Sequence, residues 1–561
     1  MCGICGELRF DAQLADLAAI QRMTARLDRR GPDHGGSFSD GPLGFGHRRL
    51  SIIDLSEHAN QPMVDPTLSL ALVFNGTIYN YRELRKQLRD KGYQFFSSGD
   101  SEVILKAWHA WGEDCVEHLQ GMFAFAIWDY RQKQLFLARD RFGIKPLYYT
   151  RDSHRLRFAS NTQALLGGGE VDTAIDPQAL HHQFTLHGVV PAPHTIFKGI
   201  RKLAPGHCML IREKAEPQTR RYWSYPATRP ETPMTEPQWL DAIHDALREA
   251  VRKRNEVADV PVGVLLSGGL DSSLLVALLA EAGVTDLRTF SVGFEDQPEE
   301  KGSEFEYSDP VAAMYDTRHH KFLVPNSEVL KRLPEAVDNM AEPMFGQDAV
   351  AFYLLSEQVS KQIKVVQSGQ GADEVFGGYF WYHRMLAETE GEPVERFAKH
   401  YFDRDHDEYL RMVTPEMGGA DHTRELIARL LGEPEADSFL DAVLRMDQTT
   451  LIVDDPVKRV DNMTMAWGLE ARVPFLDQNL VALTARCPPE LKLREGGKYP
   501  LKAMARGILP DAVIARPKGY FPMPALKYVR GEFLEFMQDI LNSRTARERG
   551  IFRREYIDML M

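Results

Sequence analysis

Hydrophobic positions change their period near the middle of the chain. Up to about residue 212, short alternating apolar runs are broken by Gly and Asp, which predicts strands with helices between them. The predicted strands cover 70–74, 123–128 and 134–138, and the predicted helices cover 83–91 and 102–111. Residues 213–238 then carry five prolines among polar residues, so they predict a connector rather than a packed element.

Helical spacing of apolar residues begins after this connector, at Leu240, Ile243, Leu247 and Val251. A capping box is predicted just before it, since Thr235 is followed three residues later by Gln238. The continuous apolar run 261–266 predicts a buried parallel strand, 274–280 a helix, and 287–292 and 363–367 two more strands. Alternating strands and helices indicate a parallel α/β sheet, and helical patterns dominate from about residue 380. The predicted domains are therefore 2–212 and 239–561, joined by 213–238.

Composition narrows the class of protein. The chain has 561 residues, 43% of them hydrophobic and 26% charged, as in an ordinary globular protein. Its net charge of −13 disfavours a surface that binds nucleic-acid phosphates. No apolar run approaches the roughly 20 residues of a membrane span, and the first residues lack a secretory signal. An odd count of 5 cysteines predicts no disulfide framework, and a reduced cytoplasmic protein is expected.

Cys2 is the first residue with candidate chemistry. Removal of Met1 would leave Cys2 at the amino terminus, where its α-amino group (pKa of about 7.7–8) can take the thiol proton, directly or through a water. Alone, position 2 reads more simply as a cysteine that happens to lie near the start. Cys2 and Cys5 also form half of a redox or zinc motif, but no second pair completes it. We expect Cys115, Cys208 and Cys487 to be buried as small hydrophobic residues.

Several strings downstream of Cys2 occur together and in order. The strings are Arg-Gly-Pro-Asp at 30–33, Gly-His-Arg-Arg-Leu-Ser-Ile-Ile-Asp at 46–54, Gln-Pro-Met at 61–63, Phe-Asn-Gly-Thr-Ile-Tyr-Asn at 74–80, Gly-Asp-Ser-Glu at 99–102, Gly-Met-Phe-Ala-Phe-Ala at 121–126 and Ala-Arg-Asp-Arg-Phe-Gly-Ile-Lys-Pro-Leu-Tyr at 138–148. Together they closely resemble the class II glutamine amidotransferase domain over its whole length.

This resemblance implies the roles of a glutaminase site. Cys2 would attack the glutamine amide and form a thioester, releasing ammonia, with the Asn75 side chain and the Gly76 N–H as oxyanion hole. The remaining residues implied for glutamine binding are Arg49 as carboxylate clamp, the backbone of Leu50, Ser51, Ile52 and Ile53, and Asp100 as partner of the α-ammonium. Thr77 departs from the Asn-Gly-Glu usual in asparagine synthetases, so a carboxylate near the substrate amine is missing.

A second motif follows the predicted strand 261–266. Ser267-Gly268-Gly269-Leu270-Asp271-Ser272 combines glycines, hydroxyls and a helix start, which suits an anion. It lacks the lysine of a Walker loop, and it is the signature of the pyrophosphate loop of enzymes that split ATP into AMP and pyrophosphate. A glycine-rich turn without function is the simpler alternative.

Another loop, Ser-Gly-Gln-Gly-Ala-Asp-Glu at 368–374, follows the predicted strand 363–367. Since ligands of open α/β sheets bind at the carboxyl ends of the strands, both loops should meet there. Asp271 and Asp373 would then hold a Mg²⁺ ion, which prefers oxygen ligands. With later strings around 461–465, 469–477, 497–502 and 515–521, these loops resemble the asparagine-synthase-type domain over about 240–525.

The resemblance implies an α+β and α/β fold class: an αββα Ntn-hydrolase sandwich, then a parallel-sheet PP-loop ATP pyrophosphatase domain with a helical C-terminal part. It places adenosine near Leu266, Val292, Ser368 and Gly369 and pyrophosphate near 267–272. Lys518 would neutralise charge on the leaving pyrophosphate. Lys498 and Lys502 read more simply as solvated charges or distant phosphate contacts, and Glu470, Arg472 and Asp477 as structural ion pairs.

The combined expectation is one enzyme with two sites. The first makes ammonia from glutamine; the second adenylates a small carboxylate with ATP and Mg²⁺, and ammonia displaces AMP. Because ammonia in bulk water at neutral pH becomes mostly ammonium, an internal tunnel is implied. Nucleic-acid and membrane partners are not expected, and the family is compatible with a homodimer. Glu342, Asp348 and Glu374 are candidate bases by context, with surface or helix-cap roles as the alternative.

The acceptor is indicated by Gln370, where asparagine synthetases carry Glu. Gln is neutral and hydrogen-bonds an amide or carboxylate, which suits an acceptor without a free amine. With the segment 181–194, the chain looks most like N-acetylglutaminylglutamine amidotransferases, which make a neutral osmoprotectant. The alternatives are an asparagine synthetase, an enzyme for a sugar or peptide precursor, and a degenerate binding protein. The histidines of 181–194 are not expected to bind metal, because carboxylate and thiolate partners are absent around them in the sequence.

Overall fold

Two antiparallel sheets form the core of the N-terminal half. The structure is a computed structural model that describes residues 2–212, 215–516, 519 and 523–561. In chain order the strands of this half are β1 (Gly3–Arg9), β2 (His34–Asp40), β3 (Leu43–Arg49), β4 (Met63–Asp65), β5 (Leu70–Ile78), β6 (Gly121–Asp129), β7 (Gln134–Arg139), β8 (Tyr148–Arg151), β9 (Arg155–Ala159), β10 (Arg201–Lys202), β11 (His207–Arg212) and β12 (Gln218–Arg221). One sheet has the order β10-β8-β9-β1-β3-β2, and the other β12-β11-β7-β6-β5-β4.

The two sheets pack face to face. Their shared core contains Phe45 and Phe158 from the first sheet and Val73, Ala126 and Leu137 from the second, all buried. Helices cover the outer faces, so the half has four layers, and these helices are α1 (Leu17–Ala25), α2 (Tyr81–Asp90), α3 (Ser101–Trp111), α4 (Cys115–His118) and α5 (Thr162–Gly168). The next helix, α6 (Pro177–Thr185), packs against helices of the second half. This architecture confirms the predicted αββα sandwich.

A parallel sheet forms the core of the second half, with the order β15-β14-β13-β16-β17. Its strands are β13 (Val262–Leu265), β14 (Arg288–Phe294), β15 (Arg318–Val324), β16 (Val365–Gln367) and β17 (Glu470–Arg472). The helices that accompany it are α7 (Glu236–Glu256), α8 (Leu270–Glu281), α9 (Phe305–Met314), α10 (Asn326–Asp338) and α11 (Asp348–Ser360). The predicted parallel α/β sheet is confirmed.

The rest of the chain is almost entirely helical, as predicted. Two successive π-helical stretches cover Asp447–Leu451 and Val453–Val457. The α-helices are α12 (Ala372–Phe376), α13 (Phe380–Ala387), α14 (Pro393–Tyr401), α15 (His406–Met412), α16 (His422–Leu431), α17 (Phe439–Met446), α18 (Lys458–Met465), α19 (Gln478–Ala485), α20 (Pro489–Leu493), α21 (Tyr499–Ala505), α22 (Asp511–Ile514), α23 (Pro524–Lys527), α24 (Glu532–Asn542), α25 (Arg544–Glu548) and α26 (Arg554–Leu560).

The connector is more ordered than its composition predicts. Strand β12 lies inside 213–238 and pairs with β11, because its backbone completes the edge of the second sheet although its side chains are polar. The capping box at the start of α7 is present, with Gln238 Oε1 accepting from the N–H of Thr235 at 2.8 Å. Within the described ranges, no helix is long and apolar enough to cross a membrane.

Candidate active sites

Cys2 lies at the start of β1, with only 7% of its surface exposed. Its backbone N–H donates to Asn75 Oδ1 at 3.0 Å. This contact fixes the Asn75 amide, whose Nδ2 is buried and has no acceptor among the residues that the structure describes. Burying an N–H group without an acceptor costs free energy. The Asn75 amide is explained if its N–H group points into a site where negative charge develops during the reaction.

Gly76 follows Asn75 on β5 at a point where no side chain fits. A Cβ atom there would lie 2.1 Å from the carbonyl oxygen of Met122 on the neighbouring strand β6. The Asn-Gly sequence therefore lets the backbone of β5 approach β6 while the Asn75 amide faces Cys2. Burial raises the pKa of the Cys2 thiol above its ordinary value, so the thiol needs a base to become a nucleophile.

Arg49 is buried and organises the loop that follows β3. Its Nη1 donates to Ser56 O at 2.9 Å and to Asn60 Oδ1 at 2.7 Å, and its Nη2 donates to Asp54 O and, at 3.5 Å, to Ile53 O. Both ends of the guanidinium fork are therefore engaged with the protein. A bidentate clamp on a substrate carboxylate, as the resemblance implies, requires these contacts to be exchanged.

The loop segment 50–53 is tied to both halves of the chain. Ser51 N–H donates to Asp33 Oδ2 at 2.7 Å, and Ile52 O accepts from the N–H of Asp259 at 2.9 Å. The backbone of Leu50 also contacts the Cys2 thiol and lowers its pKa, although less than burial raises it. The structure therefore brings the predicted glutamine-binding segment next to Cys2.

Asp100 lies directly before α3 and is buried beside the end of β5. Its Oδ2 accepts from the N–H of Ile78 at 3.0 Å. Burial raises the pKa of Asp100 to about 6, despite that hydrogen bond, which lowers it. The carboxyl group is therefore close to Asn75 and Gly76 along β5 and titrates near neutral pH.

Thr77 contacts a carboxylate that the sequence did not place in this site. Its hydroxyl donates to Glu470 Oε1 at 3.3 Å, and both residues are buried. Glu470 belongs to β17 of the second half and accepts from Arg472 Nε at 2.6 Å. Burial alone would raise the pKa of Glu470, but Arg472, the amino terminus and Lys145 together outweigh it and lower the pKa to about 2. The local ion pair was predicted; its reach to the glutaminase site was not.

Asp461 joins the two halves next to Cys2. Its carboxylate lies 3.0 Å from Arg30 Nη2 and 3.0 Å from Lys145 Nζ. Arg30 Nε in turn donates to Cys2 O at 3.3 Å. Burial raises the pKa of Asp461, but the two cations outweigh it and keep the pKa below its ordinary value. A buried network of charges therefore connects α18 with the nucleophile.

The second half contains a cavity of about 620 Å³ at the carboxyl ends of β13, β14 and β16. The structure brings together nearly all residues that the sequence assigned to this site, and those lining the cavity are Leu266, Ser267, Gly269, Asp271, Ser272, Val292, Ser368, Gly369, Gln370 and Asp373. Gly268 belongs to the same loop but is not among the lining residues.

The loop 267–272 is held by its own hydroxyls. Ser272 Oγ accepts from the N–H of Ser267 at 3.2 Å, and Ser267 Oγ accepts from the N–H of Gly269 at 3.3 Å. Gly268 has φ +76°, and a Cβ there would lie 2.6 Å from Ser308 N, so only glycine fits. Gly369 approaches the loop so closely that its Cβ would lie 3.0 Å from that of Asp271. The two loops therefore form one wall.

Lys498 is a cavity residue that the sequence analysis undervalued. Its Nζ lies 2.6 Å from Asp271 Oδ2 and 2.7 Å from Asp373 Oδ1, so it is not a solvated charge. Burial alone would lower the pKa of Lys498, but the two carboxylates outweigh it and raise the pKa. The ammonium thus shows that this pair of carboxylates accommodates a cation, and their hard oxygen donors fit Mg²⁺.

The remaining residues that the sequence analysis proposed for the synthetase site do not all lie in the cavity. Lys518 lies outside the described residues, while Arg516 and Gly519 line the cavity. Asp348 and Glu374 also line it. Glu342 does not, and its Oε2 instead pairs with Lys202 Nζ at 3.0 Å in the buried core, so it is neither a surface nor a helix-cap carboxylate.

Comparisons with known proteins identify the family of each half. The asparagine synthase family model matches residues 242–561, and that of the glutamine amidotransferase domain matches residues 1–223. Asparagine synthetase [glutamine-hydrolyzing] 1 of Bacillus subtilis is 33% identical, covering 96% of this chain and 90% of its own. Asparagine synthetase [glutamine-hydrolyzing] 3 of the same organism is 32% identical, and the match covers 100% of this chain and 93% of that protein. Amidase chry2 of Gibberella zeae is 28% identical, and the match covers 85% of this chain and 80% of that protein.

Among solved structures, the glutamine phosphoribosylpyrophosphate amidotransferase of B. subtilis overlaps 58% of this chain and 91% of its own, with a TM-score of 0.31 and 15% identity. That overlap is too weak to bear on function. The family models and the full-length relatives are decisive, since together they span both halves and the cavity and cysteine sites described above. The chain belongs to the asparagine synthase family and is a glutamine-hydrolysing carbon–nitrogen ligase.

Proposed function

We propose that the chain amidates the C-terminal carboxyl group of N-acetylglutaminylglutamine, using glutamine as nitrogen donor and ATP with Mg²⁺ to activate the carboxyl group. The observation that carries this proposal is the position of Gln370. It lines the cavity directly after Gly369, next to the loop that would hold the phosphates. A neutral amide there recognises a peptide or amide group by hydrogen bonds, whereas a carboxylate would suit a free ammonium group.

Two acidic residues that line the cavity with Gln370 already have partners. Asp403 pairs with His187 at 2.8 Å, and Asp455 pairs with Arg459 at 2.9 Å. Burial raises the pKa of Asp447, a third acidic residue of the lining, well above its ordinary value. These features favour an acceptor with an uncharged terminus over the α-ammonium of aspartate.

An aromatic wall extends the cavity away from the phosphate loop. Tyr379 and Trp381 stack with ring centroids 4.2 Å apart, and Trp381 stacks on His187 at 6.1 Å. Tyr401 packs edge-on against Trp381 at 5.6 Å. Flat rings of this kind pack against planar amide and acetyl groups. Their presence supports an acceptor larger than a single amino acid.

Glutamine hydrolysis would begin with the Cys2 thiol losing its proton to the α-amino group that removal of Met1 exposes. The sulfur attacks the amide carbon of glutamine, and the oxyanion is stabilised by Asn75 Nδ2, which the contact between Asn75 Oδ1 and the Cys2 nitrogen already orients. The C–N bond breaks, ammonia leaves with the returned proton, and water hydrolyses the thioester to glutamate. Asp100 would pair with the substrate α-ammonium.

Synthesis of the amide would follow in the cavity. The acceptor carboxylate attacks the α-phosphate of ATP, pyrophosphate leaves, and ammonia then displaces AMP from the acyl-adenylate. Ser267, Gly269 and Ser272 would hold the pyrophosphate through N–H and hydroxyl groups. Mg²⁺, held by Asp271 and Asp373, would neutralise phosphate charge. Lys498 would supply a second positive charge beside these carboxylates.

The test measures pyrophosphate release by the full chain with ATP, Mg²⁺ and saturating ammonium, so that the glutaminase is bypassed. Aspartate and N-acetylglutaminylglutamine are supplied in parallel. Release with the dipeptide alone is the expected result. Release with aspartate would make the chain an asparagine synthetase, and release with neither would exclude both acceptors.

Two variants show whether Gln370 carries the selectivity. Gln370→Glu should raise the KM for the dipeptide, because a carboxylate at this partly buried position would face an acceptor without a cation. Gln362→Glu is the matched control, since Gln362 is exposed and does not line the cavity. Equal KM values for both variants would remove Gln370 from acceptor recognition.

A further inference from the structure

Two histidines and one aspartate from distant parts of the chain converge outside the active sites. His181 lies on α6, His406 begins α15, and Asp421 immediately precedes α16. His406 Nδ1 lies 3.1 Å from His181 Nε2, and that atom lies 3.9 Å from Asp421 Oδ1. One potential ligand atom from each residue falls within 4.8 Å of the others.

The sequence analysis expected no metal here, because no carboxylate or thiolate partner seemed to accompany the histidines of 181–194. That premise was wrong, since folding brings Asp421 close to His181 and Asp176 within 3.2 Å of His194. Asp176 directly precedes α6, but Asp421 and His406 are separated from α6 by more than two hundred residues of sequence. Spacing along the chain could not reveal this cluster.

The surroundings prepare His181 to act as a ligand. Its ring is only 2% exposed, and His406 and Tyr409 pack edge-on against it with ring centroids 5.1 Å and 4.5 Å away. These contacts hold the imidazole in one orientation. Its Nδ1 accepts from the N–H of Thr423 at 3.3 Å and lies 2.9 Å from Thr423 Oγ1, while Nε2 faces His406 and Asp421. Zinc binding at Nε2 would therefore place the ring proton on Nδ1, where the Thr423 hydroxyl can accept it.

Asp421 can serve two roles at once. Its Oδ1 caps α16 by accepting from the N–H of Arg424 at 3.1 Å, and Arg424 Nε lies 3.5 Å from Oδ2. An ionised carboxylate has about four lone-pair sites, so the cap leaves acceptor capacity toward His181. Arg424 is itself engaged with Glu395, both of whose oxygens contact its guanidinium.

We propose that His181 Nε2, His406 Nδ1 and the Asp421 carboxylate bind one Zn²⁺ ion, with Thr423 orienting His181 and a water molecule completing the coordination. The donor set of two imidazoles and one carboxylate is a common one for zinc. In a tetrahedral site with zinc–nitrogen distances of about 2.0–2.1 Å, ligand atoms lie roughly 3.3 Å apart. The observed 3.1 Å and 3.9 Å require only small side-chain movements to reach that geometry.

The position of this site gives it a structural role. α6 ends two residues before His187, and His406 lies three residues after Asp403. His187 and Asp403 pair at 2.8 Å and line the cavity of the second half. A metal ion between α6, α15 and α16 would therefore cross-link the segment that carries His187 to the segment that carries Asp403. These two segments build this part of the cavity wall.

Cobalt provides the test, because four-coordinate Co²⁺ in a zinc site gives intense visible d–d absorption. The full chain is freed of metal with a chelator and titrated with Co²⁺ in the presence of ATP and Mg²⁺, which occupy the phosphate site. We expect the absorption to saturate at one ion per chain, and Zn²⁺ to displace it. Zn²⁺ should also raise the Tm of the metal-free protein.

Variants locate the ion. His406→Gln and Asp421→Asn keep side-chain size and hydrogen bonding, and both should abolish the absorption. Thr423→Val should weaken Zn²⁺ binding by about 10- to 100-fold. His207→Ala is the control, because His207 is half-buried on β11, where it hydrogen-bonds to Pro205 O, and it should leave binding unchanged.

Circular dichroism and the Tm without metal establish that each variant folds. Absence of Co²⁺ absorption in the wild-type chain would overturn the proposal and leave His406 and His181 as a hydrogen-bonded pair. Full retention of the absorption in folded His406→Gln and Asp421→Asn would overturn it equally, by placing the ion elsewhere.

Discussion

The hydroxyl group of Thr77, on the strand that carries the oxyanion-hole asparagine, donates a hydrogen bond to Glu470 of the synthetase half at 3.3 Å. A carboxylate that asparagine synthetases usually carry at residue 77 is absent here, yet another carboxylate reaches the same place from β17. Because β17 pairs with β16, which leads into Gln370, the contact joins the neighbourhoods of both active sites.

Removing the two partners of this contact should have unequal effects. Thr77→Val loses one buried hydrogen bond and should cost about 1 kcal/mol. Glu470→Gln leaves the fully buried Arg472 without its counter-charge and should cost about 3–5 kcal/mol. Thermal unfolding checks this as a larger fall in Tm for Glu470→Gln. Equal falls would show that Arg472 is neutralised by another group.

Cys2→Ala should abolish glutamine-driven product formation, because no other residue can form the thioester, and should spare ammonium-driven formation. Cys5→Ala is the matched control, since Cys5 is also buried near the start of β1 but its Sγ contacts Thr24 instead, at 3.4 Å. The measurement is amide formation with each nitrogen donor. Loss with both donors would mean that the two sites do not work independently.

Glutamine binding should weaken in mildly acidic solution. Since the pKa of Asp100 is raised to about 6, its carboxyl group is ionised at neutral pH and becomes protonated as the pH falls through that value. A protonated Asp100 cannot pair with the substrate ammonium, so kcat/KM for glutamine hydrolysis should fall by about tenfold per pH unit below it.

The profile is measured with glutaminase activity alone, and Asp100→Asn provides the comparison. This variant should hydrolyse glutamine poorly at neutral pH and lack the acidic limb assigned to Asp100. An unchanged limb in Asp100→Asn would assign the titration to another group.

Lys498→Met should make the stability of the protein depend more strongly on Mg²⁺. The substitution removes the ammonium between Asp271 and Asp373, which leaves two partly buried carboxylates close together and should cost about 1–3 kcal/mol. Mg²⁺ should restore more of the Tm in the variant than it adds in the wild type. Lys502→Met is the control, because Lys502 lines the cavity but hydrogen-bonds to Glu495 O.

If Mg²⁺ shifts the Tm of the wild type and of Lys498→Met equally, the two carboxylates are not the site of the cation. Loss of ATP-dependent pyrophosphate release in the variant would, in addition, assign Lys498 to the phosphate chemistry.

The sequence was most informative where a signal is local. Alternating apolar positions located β5, β6 and β7, and the pair Thr235 and Gln238 located the start of α7. Edge strands were missed: β12 is polar throughout, and β15 exposes charged side chains along one edge. Strand β17 was missed because Glu470 and Arg472 were interpreted as an ion pair between a helix end and a loop, whereas their pairing allows both to be buried in a strand.

The same distinction applies to the sites. Motifs identified the loops around Asn75, Asp271 and Asp373, because each loop is continuous in the chain. Lys498 and Glu470 were undervalued, since their roles depend on partners that lie far away in sequence. No spacing rule relates Lys498 to Asp271 or Glu470 to Thr77, so only the fold could bring them together.

The Asp461 carboxylate also limits how the halves can be recombined. It neutralises Arg30 and Lys145, two buried cations of the glutaminase half, from 3.0 Å in each case. Consider a chimera that joins this N-terminal half to a foreign synthetase half without an acidic residue at that position. It would bury the positive charges of Arg30 and Lys145 near Cys2 without a counter-charge. A functional recombinant must therefore keep Asp461 together with Arg30 and Lys145, although these residues belong to different halves of the chain.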